Sequence, residues 1–332
     1  MKQRLVSMYL TAMGLALALI ACEKKITVDL PTLPEQIVVE GSIEQGQPPI
    51  VLLTRSQGYF DPIDLNSFSE LFVSGATVTV GNGTTSVVLD EICTSNVPEE
   101  FLPLIAEATG LTPEQLAAFD ICLYSTFNTS IWGEANRVYT LEVDYQEHRL
   151  RSSTKINTPI ALDSVWFDIP GTDPNNDSLG FAYAILQDPD TLGNAYRWFA
   201  RRINTYPAWS AHAGEVKDPR YIAPLGSATD DAFFNGLTFE FSYFRGDLPN
   251  SLKEDDTNEE SGFFKVGDTI AVRATVIDRA AMNFVRSFEN QAGSSGTPFA
   301  SPANIQTNIE GGLGAWIGYG AVYDTIYCVI ND

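Results

Sequence analysis

The sequence predicts a mainly β protein. It has an N-terminal immunoglobulin-like β-sandwich carrying a short two-helix insertion, followed by a second β-rich domain with one helix. Three observations lead there. Short apolar runs alternate with polar residues at period two along almost the whole chain, separated by Gly, Pro and Asn turns. One segment, residues 96–121, interrupts them with helix-boundary signals. The strand pattern then restarts beyond "NTPIAL" at residues 157–162, in a half rich in aromatics. With 332 residues and 44% hydrophobic residues, the chain can bury a sizeable core, and its length suits two domains.

The chain starts with a leader. Lys2 and Arg4 form a positive start, and Leu5 to Ala21 is uncharged. Its densest apolar part, Leu10 to Ala21, has the length of a signal-peptide core and is short for a bilayer span. It ends in Leu19-Ile20-Ala21-Cys22, the pattern of a bacterial lipoprotein cleavage site. Residues 1–21 are therefore expected to be removed and the Cys22 thiolate to take the lipid, fatty acyl chains included. More than one acyl chain holds a protein at a membrane far more firmly than one. Residues 22–34 read as a tether, 35–158 as the sandwich and 159–332 as the C-terminal domain.

Within the sandwich, "IVVEGSIE" and "IVLLTRS" flank a Gln-Gly-Gln-Pro-Pro turn and form a hairpin. "ATVTVGNGTTSVVL" forms another, with Asn82-Gly83 at its turn. In "RVYTLEVDYQEHRLRSST", Tyr139, Leu141, Val143 and Tyr145 share one face, and Thr140, Glu142 and Asp144 share the other. In the insertion, Asn96, Pro98, Glu99 and Glu100 suit a helix start and Gly110 its end, while Thr112-Pro113-Glu114-Gln115 is a capping box. The insertion reads as a structural element or a partner-docking knob. In the second domain, "FAYAILQD", "AYRWFARRIN", "LTFEFSYF" and "DTIAVRATVID" alternate as strands, and "DRAAMNFVRSFENQ" is a helix with Met282, Val285 and Phe288 on one stripe. The Gly-rich stretch up to "GGLGAWIGYG" reads as a loop leading to a final strand.

The cysteines fit an oxidising compartment. Cys93 and Cys122 bracket the insertion and form the expected disulfide, while Cys328, in "TIYCVI", is expected to be a buried thiol. A bridge from Cys328 to either of the others is the competing arrangement. No C-x-x-C spacing is present, and no metal or other cofactor is expected.

The formal charge is −22, and loss of Lys2 and Arg4 makes it more negative. That opposes binding to nucleic acid or anionic lipid. No G-x-S-x-G, H-E-x-x-H or phosphate-loop motif occurs, and Ser152-Ser153-Thr154-Lys155 matches S-x-x-K without its companion motifs. The two histidines, His148 and His212, read as surface or loop residues. Asp173, Asn175 and Asp177 alternate like the start of a calcium loop but lack its Gly and final Glu. A further acidic loop spans residues 253–260. Most aromatics of the second half, Trp166 among them, are expected in the core. Trp209 and Trp316, in loop-like surroundings, are the candidate ligand or partner contacts, with packing in the core or a loop the bland and favoured reading.

Cys22, "ITVDLP", "IVVEGSIEQGQPPIVLLTRSQGYFDP", "GATVTV", "YTLEV", "LDSVWF", "YRWFARR", "GDTIAV" and "PFASPANIQTNIEGGLGAWIGYG" follow one another in an order that resembles one family. It is the Bacteroidota lipoprotein family catalogued as domain of unknown function 4249. The resemblance implies an outer-membrane lipoprotein, encoded near outer-membrane receptors of the TonB-dependent kind, and it supplies no catalytic residues. Asp-Ser/Thr-apolar triplets resemble an O-glycosylation signal of the same bacteria, with Ser178 and Thr191 the loop positions. The expected function is a lipid-anchored, non-catalytic accessory or binding protein of the outer membrane, at the cell surface or on the periplasmic face. The alternatives are a hydrolase of glycan or peptide that works through carboxylates and a structural adhesin.

Overall fold

The computed structural model describes residues 34–57, 70–97, 102, 105–106, 116, 118–171, 178–210, 212–246, 262–294 and 304–330. The first half supplies β1 (Ile37–Glu44), β2 (Ile50–Arg55), β3 (Thr77–Gly81), β4 (Ser86–Val88), β5 (Asp90–Cys93), β6 (Cys122–Ser125), β7 (Val138–Tyr145) and β8 (His148–Lys155). The second supplies β9 (Leu162–Asp168), β10 (Leu179–Gln187), β11 (Ala195–Arg202), β12 (Ala228–Asp230), β13 (Thr238–Tyr243), β14 (Phe264–Lys265), β15 (Thr269–Ile277), helix α1 (Arg279–Ser294) and β16 (Leu313–Tyr327). The protein is mainly β, as its period-two runs require.

These strands build three sheets. The largest has eight strands in the order β12-β11-β15-β16-β1-β2-β6-β5, so it draws on both halves of the chain. The others have four each: β4-β3-β7-β8, and β10 paired with β9, β13 and β14. Val39, Leu53, Val78, Leu141 and Val143 belong to the core between the first small sheet and one part of the large one. Phe167, Ala182, Trp198, Val272 and Ile326 belong to the core between the second small sheet and the rest. On the opposite face of β11, β15 and β16 lies α1, packed through Ala281, Met282 and Val285. Asp278 caps this helix, accepting from the Ala281 amide at 2.8 Å, and its other oxygen accepts from the Thr154 hydroxyl at 2.5 Å. Phe288 leaves the expected buried stripe: it is exposed and stacks on Phe284.

Strand β16 joins the two cores. It runs parallel to β1 and antiparallel to β15. Trp316 enters the first core, Ile326 the second, and Ala315, Ile317 and Tyr319 face α1. For Trp316 the contact reading and the loop surroundings are corrected, and the packing reading holds. The residue lies within a strand, is 0% exposed, and its indole N–H donates to the Tyr139 carbonyl at 3.0 Å. Glycines signalled a loop, yet they serve close packing. Gly41 pairs with Trp316, and a Cβ there would stand 2.7 Å from the indole. Gly314, at φ +96, has the Val39 carbonyl oxygen where a Cβ would need to be.

Residues Glu35 to Asp332 form one compact unit. The expected boundary at 157–162 falls between β8 and β9, where the chain passes from one small sheet to the other. In the insertion, Leu102, Ile105, Ala106, Leu116 and Ala118 are helical, and Ile105 and Leu116 pack on Leu52 and Leu123 of β2 and β6. Asn96 ends a short 3-10 turn, Thr94–Asn96. Gly110 and the capping box lie outside the described residues, as do the leader, Cys22, the tether up to residue 33, the loops holding Asp173 to Asp177 and residues 253–260.

Candidate functional site

The second small sheet has an unusual outer face. In β10 burial alternates strictly: Ala182, Ala184 and Leu186 point inward, and Phe181, Tyr183 and Ile185 point outward, half-buried. Alanines suffice inside because Trp198 of β11 fills the space opposite them, its ring 4.0 Å from Phe241 and 6.5 Å from Tyr243. The aromatic residues of β10, Phe181 and Tyr183, are therefore turned toward solvent.

Neighbouring strands extend this face. β9 places Trp166 opposite Tyr183 and Asp168 opposite Phe181, while β13 places Ser242 opposite Tyr183 and Glu240 opposite Ile185. Trp166 and Tyr183 stack, centroids 5.6 Å apart and planes 14° from parallel. Phe181 stacks on Phe263 at 5.0 Å and 26°, and meets Phe244 edge-on at 5.3 Å. Two near-parallel ring pairs thus lie along one strand, two residues apart, which is about 7 Å. Ser164, Asp168, Glu240 and Ser242 stand exposed among the rings. Ser164, Glu240 and Ser242 make no side-chain hydrogen bond to any described residue, whereas Asp168 accepts from the Ile169 amide at 2.8 Å. Partial burial, then the charges of Asp168 and Glu240, raise the Tyr183 hydroxyl above its ordinary pKa. The ring stays a neutral donor.

Other polar clusters tie the fold together. Asp218, 0% exposed, takes a two-point contact from Arg202 at 2.9 Å and fixes the segment after β11. Asp231 accepts the Gly193 and Asn194 amides, and Asp188 accepts from Gly236 and the Tyr196 hydroxyl, so two loops are locked together. On the α1 side, Glu44 accepts from Arg273 and Tyr323, and the Arg273 guanidinium lies 4.6 Å from the Phe199 and Tyr319 ring centres. Burial lowers the pKa of Arg273, but the charges of Glu44, Tyr319 and Tyr323 and the hydrogen bond to Glu44 together outweigh it, leaving a net rise.

The sequence-predicted sites fare differently. Cys93 and Cys122 form a disulfide, directly opposite each other on β5 and β6. Glu91 lies within 4.8 Å of them, but joined sulfurs offer a metal no thiolate. Cys328 is a buried free thiol. Trp209 is 80% exposed on the β11–β12 connection. Trp316 is in the core and cannot touch a partner. Thr191 is exposed in a turn; Ser178 is half-buried beside β10, its carbonyl accepting from the Val266 amide. His148 opens β8, and His212 sits 3.4 Å from Glu215. Trp166, expected in the core, is half-exposed on the aromatic face, and Phe181, Tyr183, Phe244 and Phe263 were not foreseen there. The one available signal was the alternation of alanine and aromatic in "FAYAIL".

Sheet architecture and aromatic face together define a mainly β protein with a solvent-facing patch of aromatic rings on its second small sheet. The family model "Domain of unknown function (DUF4249)" matches residues 23–323, and the chain belongs to that family. Comparison with curated proteins and with solved structures returns no match. Among the described residues no helix is long and apolar enough to cross a membrane.

Proposed function

We propose that this protein is a non-catalytic binding module, held at the bacterial outer membrane by acylated Cys22, that works beside a TonB-dependent outer-membrane receptor. The observation carrying the binding role is the aromatic face of β9, β10 and β13. A contiguous set of rings kept at the surface costs solubility and adds little to the core, which is the pattern of a recognition surface. The anchor is supported by the leader and its Leu-Ile-Ala-Cys end. The receptor neighbour is supported by the resemblance of the chain to outer-membrane lipoproteins.

Affinity purification of the tagged, full-length, lipidated protein from detergent-solubilised envelopes tests this reading. An outer-membrane receptor is expected to co-purify, and Cys22→Ser to abolish both acylation and recovery of the partner. Repeated recovery of no membrane protein under mild conditions would defeat it.

A further inference from the structure

We propose that the solvent face of β9, β10 and β13 binds a neutral glycan chain, with one sugar ring on the Trp166–Tyr183 pair and another on the Phe181–Phe263 pair. The proposal rests on the reading of this face as the ligand surface, and it names the ligand class.

Three features select this occupant. First, the two ring pairs are each close to parallel, at 14° and 26°. A pyranose offers a flat, apolar patch of C–H bonds to exposed ring surface, and two ring pairs two residues apart, about 7 Å along β10, give a chain more than one place to rest. Second, hydroxyls and carboxylates alternate with the rings: Ser164 beside Trp166 on β9, Ser242 opposite Tyr183, and Glu240 two residues along β13. Their side chains have no described hydrogen-bond partner, so they can receive or donate to a polyol. A protein interface instead has an apolar centre depleted of charge. Third, Asp168 and Glu240, the charged groups beside the ring pairs on β9 and β13, are both acidic, with the base Lys265 set at the β14 edge opposite Leu179, in a chain of formal charge −22. Polyanions such as nucleic acid, uronate chains or anionic lipid are repelled.

The test is affinity electrophoresis and titration calorimetry of the detergent-purified full-length protein. The probes are hydroxyethylcellulose, galactomannan and pullulan as neutral chains, and polygalacturonate as their anionic counterpart. At least one neutral chain is expected to bind, and polygalacturonate is not. Trp166→Ala and Tyr183→Ala are each expected to weaken binding about tenfold, the scale of one lost aromatic contact. Arg149→Ala, on the other small sheet, should leave it unchanged. Ser242→Arg, at an exposed position, should weaken binding to a similar degree by covering Tyr183 without touching the core, and it answers for any ring variant that fails to fold.

Binding of no neutral chain overturns the proposal, as does binding that survives in folded Trp166→Ala/Tyr183→Ala. If a membrane protein is recovered through Trp166 and Tyr183 while no polysaccharide binds, the face is a protein interface and the glycan assignment falls. Glycan binding without a receptor partner defeats only the receptor part of the proposed function.

Discussion

The two small sheets differ where their surroundings are alike. Each has four strands, each backs onto the same eight-stranded sheet, and each turns one side to water. On β7 and β8 that side carries Thr140, Glu142, Asp144, Arg149 and Arg151, with Arg149 reaching Glu142 at 3.6 Å and Asp144 at 3.5 Å. On β9 and β10 it carries Trp166, Phe181, Tyr183 and Ile185. The first sheet is therefore an internal control. A sandwich of this kind is solvated adequately by threonine and paired charge, so nothing in the architecture calls for rings on the second.

The comparison can be broken or sharpened by experiment. The largest contrast should come from two tryptophans on opposite sides of the second sandwich's wall. Trp198→Ala, in the core, is expected to cost about 3–5 kcal/mol, and Trp166→Ala, on the surface, about 1 kcal/mol, both read by urea unfolding. Equal losses would make the outer rings structural and end the contrast. In the first half, Cys93→Ala/Cys122→Ala should cost about 2–4 kcal/mol by releasing the base of the insertion, measured as a drop in the denaturation midpoint.

Sulfur chemistry separates the halves as well. Burial, then the charge of Asp268, pushes the Cys328 thiol from 9.0 up to about 12. A proton held more tightly in the folded state gives stability that is complete below pH 9 and is lost as pH rises from 9 toward 12. Cys328→Ala should flatten that part of the stability profile relative to wild type. An unchanged slope would show that the thiol titrates normally. The smallest effect is expected on the charged sheet: Arg149→Ala should change stability by less than about 1 kcal/mol, and less still in high salt. A larger, salt-independent loss would mean that this face is built for more than solvation.

Local chemistry made much of this legible. The alternation of Tyr139, Leu141 and Val143 predicts a face that is indeed buried, and the bracketing of the insertion by Cys93 and Cys122 predicts their bond. The surroundings of Trp316 read as a loop because glycine usually marks a turn, whereas here each glycine makes room for a neighbour: the indole at Gly41, the Val39 carbonyl at Gly314 and the Lys155 backbone at Gly318. Such neighbours are distant in sequence. The aromatic face was hidden for a related reason. In β10 both sets of alternate residues are apolar, and the side that turns inward is the one met by Trp198, Val272 and Ile326 from another sheet.

The parallel pairing of β1 with β16 sets the timing of folding. A ribosome delivers Val38 long before its partner Leu313. Until Leu313–Tyr327 emerges, both sandwiches lack a common wall and the seat of α1 lacks Ala315, Ile317 and Tyr319. Contacts this remote close slowly. The nascent polypeptide therefore travels with its greasy interior uncovered until the closing strand arrives, the condition in which partly made chains aggregate most readily.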